Sequence, residues 1–129
     1  MLQQRVPVKV FLADDSDLIR DRVAAMLMSR QMLVVGQAET PEDSIAAILA
    51  VHPDVVVLDV QLGGGSGLQV LRAVRQAAPY IAFVVFTNNA NDLYRKLYLD
   101  EGAEEFLDKS SEFERLASAV AKASEHAAH

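Results

Sequence analysis

Residues 55–60 have the sequence Val55-Val56-Val57-Leu58-Asp59-Val60, in which five apolar residues surround a single carboxylate. A continuous run of β-branched and aliphatic residues is typical of a strand buried on both faces, as in a parallel sheet covered by helices. The glycine-rich segment 61–67 predicts a flexible loop whose backbone can approach a bound group closely. Because ligands of open α/β sheets bind at the carboxyl ends of strands, we expect the chemistry of this protein at Asp59.

Strands and helices are predicted to alternate along the whole chain. Apolar runs at 8–13, 33–38, 81–86 and 105–107 predict four further strands. Capping residues and apolar residues at helical spacing predict five helices, which begin near Ser16, Pro41, Ser66, Asp92 and Ser111. Such alternation implies parallel strands joined by right-handed crossovers. The predicted fold is therefore α/β, a doubly wound five-stranded parallel sheet with helices on both faces.

The composition limits the class of protein. The 129 residues, 51% of them hydrophobic, predict one domain over residues 1–129, with a core from about 8 to 123 and frayed tails. A net charge of −6 provides no basic stripe, so we expect neither direct nucleic-acid binding nor membrane attachment. The absence of cysteine excludes a disulfide framework and a thiol nucleophile. Short apolar runs and no signal-like segment lead us to expect a cytoplasmic location.

Polar side chains follow four of the predicted strands. Asp14 and Asp15 follow the first strand, Asp59 ends the third, Thr87 follows the fourth and Lys109 follows the fifth. The carboxyl ends of parallel strands share one edge of the sheet, so these side chains should meet there. Clustered carboxylates repel one another unless a cation neutralises them, and Mg²⁺ prefers oxygen ligands. A carboxylate can also act as a nucleophile and form an acyl phosphate.

This ordered set of residues resembles the receiver domain of two-component response regulators. The resemblance covers positions 8–123 and includes Gly67, eight residues after Asp59, and Gly102-Ala103 before the last strand. It implies a flavodoxin-like sheet with strand order 2-1-3-4-5. It also implies that Asp59 accepts a phosphoryl group from a histidine kinase or phosphotransfer protein. Lys109 would then bind a phosphoryl oxygen, and Thr87 would donate a hydrogen bond to the phosphoryl group after phosphorylation.

The resemblance further implies a metal site. Mg²⁺ or Mn²⁺ would be bound by Asp59, directly by Asp15, largely through water by Asp14, and by the backbone carbonyl of Gln61. The protein would then be a signalling switch and not an enzyme, apart from metal-dependent self-phosphotransfer and autodephosphorylation.

Two surfaces are expected to meet partners. The region of Leu18 resembles a kinase-docking surface, although exposed apolar residues are also common without a partner. The fourth helix, fifth strand and last helix would form the output surface, for an output domain, a downstream protein or a phosphorylation-dependent homodimer, and Thr87 and Phe106 would act as its switch. Tyr94 and Tyr98 lie one helical turn apart and share a face, so they form either part of that surface or an amphipathic helix with snorkelling tyrosines.

Some features depart from the family pattern and leave alternatives open. Gly63 and Ser110 stand at positions where the family often has proline. Asn88 stands beside Thr87 where a smaller residue is common, and Phe106 stands where the family more often has tyrosine. Asp14 and Asp15 could merely cap the first helix, but two adjacent acids exceed that need. A nucleotide-binding site is disfavoured because two negative charges stand where a phosphate-cradling loop would lie. A pseudo-receiver that is never phosphorylated and only binds other proteins is the main alternative.

Overall fold

The central strands of the sheet form where the sequence is a continuous apolar run. A computed structural model describes residues 6–127 of the chain. Its strands are β1 (Lys9–Ala13), β2 (Leu33–Ala38), β3 (Val55–Leu58), β4 (Gln61–Leu62), β5 (Gly65–Ser66), β6 (Ala82–Thr87) and β7 (Glu105–Asp108). Every residue of β3 and β6 is buried, as expected for strands covered on both faces.

Five of these strands form one parallel sheet in the order β2-β1-β3-β6-β7. Strands β4 and β5 form a separate antiparallel hairpin. When the hairpin strands are left out of the numbering, this order is the predicted 2-1-3-4-5. The predicted fold is therefore confirmed.

Three of the five helices that the structure describes begin at a side chain that accepts a hydrogen bond from one of their first amide groups. They are α1 (Asp17–Ser29), α2 (Pro41–Val51), α3 (Gly67–Ala77), α4 (Asp92–Asp100) and α5 (Leu116–Ala127). Ser16, Thr40 and Asn91 each accept a hydrogen bond from the backbone amide three residues later, at 3.3, 3.1 and 2.9 Å. Among residues 6–127, no helix is long and apolar enough to cross a membrane.

The pleat of the strands divides the core between two faces. In β1, Phe11 packs on the side of α2, α3 and α4, whereas Leu12 packs on the side of α1 and α5. The same alternation continues in β6, where Phe83 and Val84 lie on opposite faces. Because both faces are covered by helices, polar groups can be presented only at the ends of the strands.

The glycine-rich segment, which the sequence predicted as a loop, contains a short hairpin. In this hairpin Gln61 pairs with Ser66 and Leu62 with Gly65. Leu62 is 3% exposed, and the Gly63 amide donates to the carbonyl of Glu39 at 2.9 Å, which ties the hairpin to the turn before α2. Strands of two residues are too short to produce a periodic pattern, so the sequence did not reveal them.

The last helix also begins later than predicted. Ser111 does not cap it; a 3₁₀ turn over Phe113–Arg115 comes first, and α5 starts at Leu116. The Glu112 carboxylate instead accepts a hydrogen bond from the Asp108 amide at 3.0 Å. Hydrogen bonds from Ser110 to the side chain of Asp108 close the turn and lower the pKa of that carboxyl. The predicted frayed tails fall partly on residues 1–5 and 128–129, which lie outside the described residues; α5 itself continues to Ala127.

Candidate functional site

Three carboxylates meet at the carboxyl edge of the sheet. Asp14 and Asp15 follow β1, and Asp59 follows the neighbouring β3. One carboxylate oxygen of each residue lies within 4.8 Å of the other two. Asp14 and Asp59 are 6% and 7% exposed, whereas Asp15 is exposed to solvent. The pairing of β1 with β3 therefore brings Asp59 to the adjacent pair Asp14 and Asp15, which is far from it in the sequence.

Lys109 reaches this cluster from β7, on the far side of β6. Its Nζ lies 2.6 Å from Asp14 Oδ2 and 2.9 Å from Asp59 Oδ2. Burial lowers the pKa of Lys109, but the hydrogen bonds to Asp14 and Asp59 outweigh that effect and raise it. Burial also raises the pKa of the Asp14 carboxyl, against the opposing effect of Lys109. The ammonium group is therefore held in its charged form between the two buried acids.

The cluster has the donors that a hard divalent cation needs. One ammonium group neutralises only one of three carboxylates, and the remaining charge favours a cation with oxygen ligands. A cavity of about 350 Å³ opens onto the cluster and is lined in part by Asp15, Asp59, Gln61 and Lys109. The cavity leaves room for a cation that retains water ligands. The acidic cluster can therefore hold a metal ion at the place the sequence predicted.

Polar residues after β6 line the same region. Thr87 is fully buried at the end of β6, and its Oγ1 accepts a hydrogen bond from the Asn89 amide at 3.1 Å. Asn88 is exposed and lines the cavity. The Asn89 side chain donates to Gln61 Oε1 at 3.4 Å and so connects the segments that follow β3 and β6. Sequence reasoning did not identify Asn89, because no strand periodicity or motif marks it.

Gly67 fixes the backbone of Asp59 from the first turn of α3. Its amide donates to the carbonyl of Val60 at 2.7 Å. A Cβ atom at this position would lie 2.2 Å from the carbonyl oxygen of Asp59, a distance that no side chain can tolerate. The glycine eight residues after Asp59 is therefore required by close packing and not by an unusual backbone angle.

The predicted switch and surface residues occupy different environments. Phe106 is 2% exposed, and its ring centroid lies 6.2 Å from that of Tyr98. Tyr98 is 1% exposed, its hydroxyl lies 3.5 Å from the carbonyl oxygen of Val60, and burial raises the pKa of Tyr98 to about 12. The prediction that Tyr98 belongs to a partner surface is therefore wrong. Tyr94 and Leu18 are 36% and 68% exposed and do lie on the surface.

Comparison with known proteins agrees with this arrangement. Residues 10–121 match the response regulator receiver domain family. The chain belongs to this family. One curated relative, the response regulator GacA of Pseudomonas aeruginosa, is 33% identical over 114 residues, which cover 88% of this chain and 53% of GacA. Another, the DNA-binding transcriptional activator DevR/DosR of Mycobacterium tuberculosis, is 32% identical over 114 residues, with coverage of 88% and 52%.

Solved structures give the same result. The signal receiver domain of a response regulator named NarL, from Mycobacterium tuberculosis, is similar to this chain with a TM-score of 0.85 and 30% identity. The likeness covers 92% of this chain and 97% of that one. The receiver domain spans about half the length of the curated relatives it matches.

Proposed function

We propose that this receiver domain is a phosphorylation-dependent switch, in which Asp59 accepts a phosphoryl group from the phosphohistidine of a histidine kinase or phosphotransfer protein. The observation that carries the proposal is the contact of Asp59 with Lys109 at 2.9 Å, beside two further acids and at the wall of an open cavity. A buried carboxylate with one fixed cation and an open approach is a suitable nucleophile for a phosphorus centre.

The transfer exchanges one bond to phosphorus for another. A carboxylate oxygen of Asp59 forms the new P–O bond while the P–N bond to the donor histidine breaks, and the histidine nitrogen keeps the electron pair and takes a proton. Lys109 stays protonated and neutralises charge on Asp59 and on the incoming oxygens. Mg²⁺ or Mn²⁺, held by Asp14, Asp15, Asp59 and the Gln61 carbonyl, would supply further neutralisation of phosphoryl charge.

A small phosphodonor tests this proposal without knowledge of the kinase. Incubation of the protein with acetyl phosphate and Mg²⁺ should add the mass of one phosphoryl group, and EDTA should prevent the gain because the carboxylate cluster then lacks its cation. Intact-protein mass spectrometry measures both results. A pseudo-receiver would gain no mass under either condition, and that outcome would exclude the switch.

Mg²⁺ affinity should depend strongly on Asp15. We expect Asp15→Asn to weaken Mg²⁺ binding by roughly tenfold or more, because the amide removes one charge and one carboxylate ligand from the cluster. Isothermal titration calorimetry measures the affinity. Asp21→Asn is the matched control, since Asp21 is also exposed and lies in α1 outside the cluster. Equal affinities for wild type and Asp15→Asn would remove Asp15 from the metal site.

Leu18 is proposed to contact the kinase. It is 68% exposed at the start of α1, on the side of the molecule where the donor histidine must approach Asp59. Leu18→Ala should slow phosphotransfer from a cognate kinase several-fold and leave labelling by acetyl phosphate unchanged, as stopped reactions analysed by gel would measure. Met28→Ala, at the other end of α1 and 61% exposed, is the control. Slower labelling by acetyl phosphate as well would indicate a folding defect and not a docking residue.

The output surface is proposed to comprise α4, β7 and α5, with Thr87 and Phe106 as the residues that respond to phosphorylation. Leu93 and Leu99 are 76% and 38% exposed in α4, which gives this surface apolar area for an output domain, a downstream protein or a second copy. Such a switch would act in the cytoplasm, where kinase and output meet.

Amide exchange over 87–109 should slow when beryllofluoride is added with Mg²⁺, and Thr87→Ala should reduce the effect. Identical exchange with and without beryllofluoride would exclude this surface from switching.

A further inference from the structure

We propose that Arg95 is a positioning residue that holds Phe106 in its buried position. This inference rests on the proposed switch, because Phe106 is its expected aromatic element. The guanidinium carbon of Arg95 lies 5.1 Å from the centroid of the Phe106 ring. Its Nη1 donates a hydrogen bond to the carbonyl oxygen of the same residue at 3.1 Å. One side chain of α4 therefore contacts both the ring and the backbone of one residue in β7.

The two contacts need the particular chemistry of arginine. Its guanidinium group is planar and always charged, so one face can lie against an aromatic ring while an edge N–H donates to a carbonyl. Lysine carries the same charge but has no planar group. The neighbouring Lys96 instead pairs with Asp100 at 2.9 Å on the exposed side of α4.

Phe106 packs in the core, but its strand is held on one side only. It lies in β7, an edge strand that pairs only with β6, so the outer side of β7 has no strand to hold it. Its ring has no hydroxyl group that could fix it by a hydrogen bond. On its inner side the ring packs against Tyr98, with centroids 6.2 Å apart. Arg95 adds a second contact, and α4 therefore grips the ring through two side chains, Tyr98 and Arg95.

The grip lies outside the phosphorylation site. None of its contacts involves Asp59, Lys109 or the acid cluster, so it can be measured in the unphosphorylated protein. It sets the fraction of molecules in which Phe106 is buried. If the phosphorylated state requires that buried position, loss of Arg95 weakens the binding of a phosphoryl analogue by the factor by which the buried fraction of Phe106 falls.

Amide exchange of the unphosphorylated full chain tests the grip directly. In Arg95→Ala, exchange at the amides of Phe106 and Leu107 should be roughly tenfold faster, the effect of losing one hydrogen bond and one cation–π contact. The exchange rate of these amides in Arg95→Lys should lie between the rates in wild type and in Arg95→Ala. The rate in Lys96→Ala should equal that of wild type. Amides of β1 serve as the internal reference for global unfolding. Unchanged exchange in Arg95→Ala, or equal acceleration in Lys96→Ala, would overturn the proposal.

Beryllofluoride binding tests the connection to the switch. With Mg²⁺ present, the affinity of Arg95→Ala for beryllofluoride should fall by the factor by which exchange shows the buried fraction of Phe106 to fall, while Lys96→Ala should bind as wild type does. An affinity that stays unchanged although the buried fraction falls, or that falls although Phe106 stays buried in nearly all molecules, would overturn the connection between the grip and phosphorylation. Failure of wild type to gain mass from acetyl phosphate would instead refute the proposed function, and the exchange measurement, which needs no phosphoryl group, would still decide whether Arg95 holds Phe106.

Discussion

Asp59→Asn should abolish the mass gain that acetyl phosphate and Mg²⁺ produce in the wild-type protein. The amide has nearly the shape of the carboxylate but is neither charged nor nucleophilic, so the fold is kept and the acceptor is lost. Intact-protein mass spectrometry measures the result. Asp100→Asn, at an exposed position of α4 far from the cluster, should label as wild type does. Full labelling of Asp59→Asn would assign the phosphoryl group to another residue.

Lys109→Met should destabilise the metal-free protein by about 3–5 kcal/mol at neutral pH, the usual effect of removing one partner of a buried ion pair. The Lys109 side chain is 5% exposed and is the ammonium partner of both Asp14 and Asp59 in the structure. Without it, two buried carboxylates face each other uncompensated. Urea unfolding measures the loss, and Lys122→Met, at an exposed position of α5, is the control. Mg²⁺ should restore part of the stability, since a cation can then neutralise the carboxylates.

The loss of stability caused by Lys109→Met should become smaller at acidic pH. The pKa of Asp14 is higher in the folded protein than its usual value of 3.8, so the folded protein takes up this proton first as pH falls. The free energy of unfolding therefore rises as pH falls through the folded-state pKa, until the unfolded chain also takes the proton near 3.8. The raised pKa of Lys109 means that its contribution is complete below 10.5 and is lost as pH rises through the folded value. Wild type and Lys109→Met should therefore differ most near neutrality. A difference that grows on acidification would show that charge repulsion is not its cause.

The sheet and the site could be predicted because both depend on short-range patterns. Strands such as β3 and β6 are buried on both faces and therefore consist of uninterrupted apolar residues. Parallel topology then places whatever follows each strand at one edge, which is why Asp14, Asp59 and Lys109 were found together before any distance was known.

Tyr98 is a residue whose burial the sequence pattern could not predict. Its spacing from Tyr94 correctly placed both rings on one face of α4, and their centroids are 6.5 Å apart. Spacing does not say how α4 is rotated against the sheet, however, and that rotation buries Tyr98 and leaves Tyr94 at the rim. The predicted start of α5 was also wrong: a 3₁₀ turn over Phe113–Arg115 precedes the helix, and the capping pattern at Ser111 does not distinguish such a turn from the first turn of an α-helix.

The strand order has a further consequence while the chain is being synthesised on the ribosome. Strand β1 can pair with β2 and β3 as soon as residue 58 has emerged, but the other edge of β3 has to wait for β6, which follows only after α3. During that interval the apolar edge Val55–Leu58 has no neighbour. An open apolar edge is a template for association with other chains. We therefore expect the nascent protein to be open to association through the edge of β3 until β6 has been made, and through the edge of β6 until β7 follows.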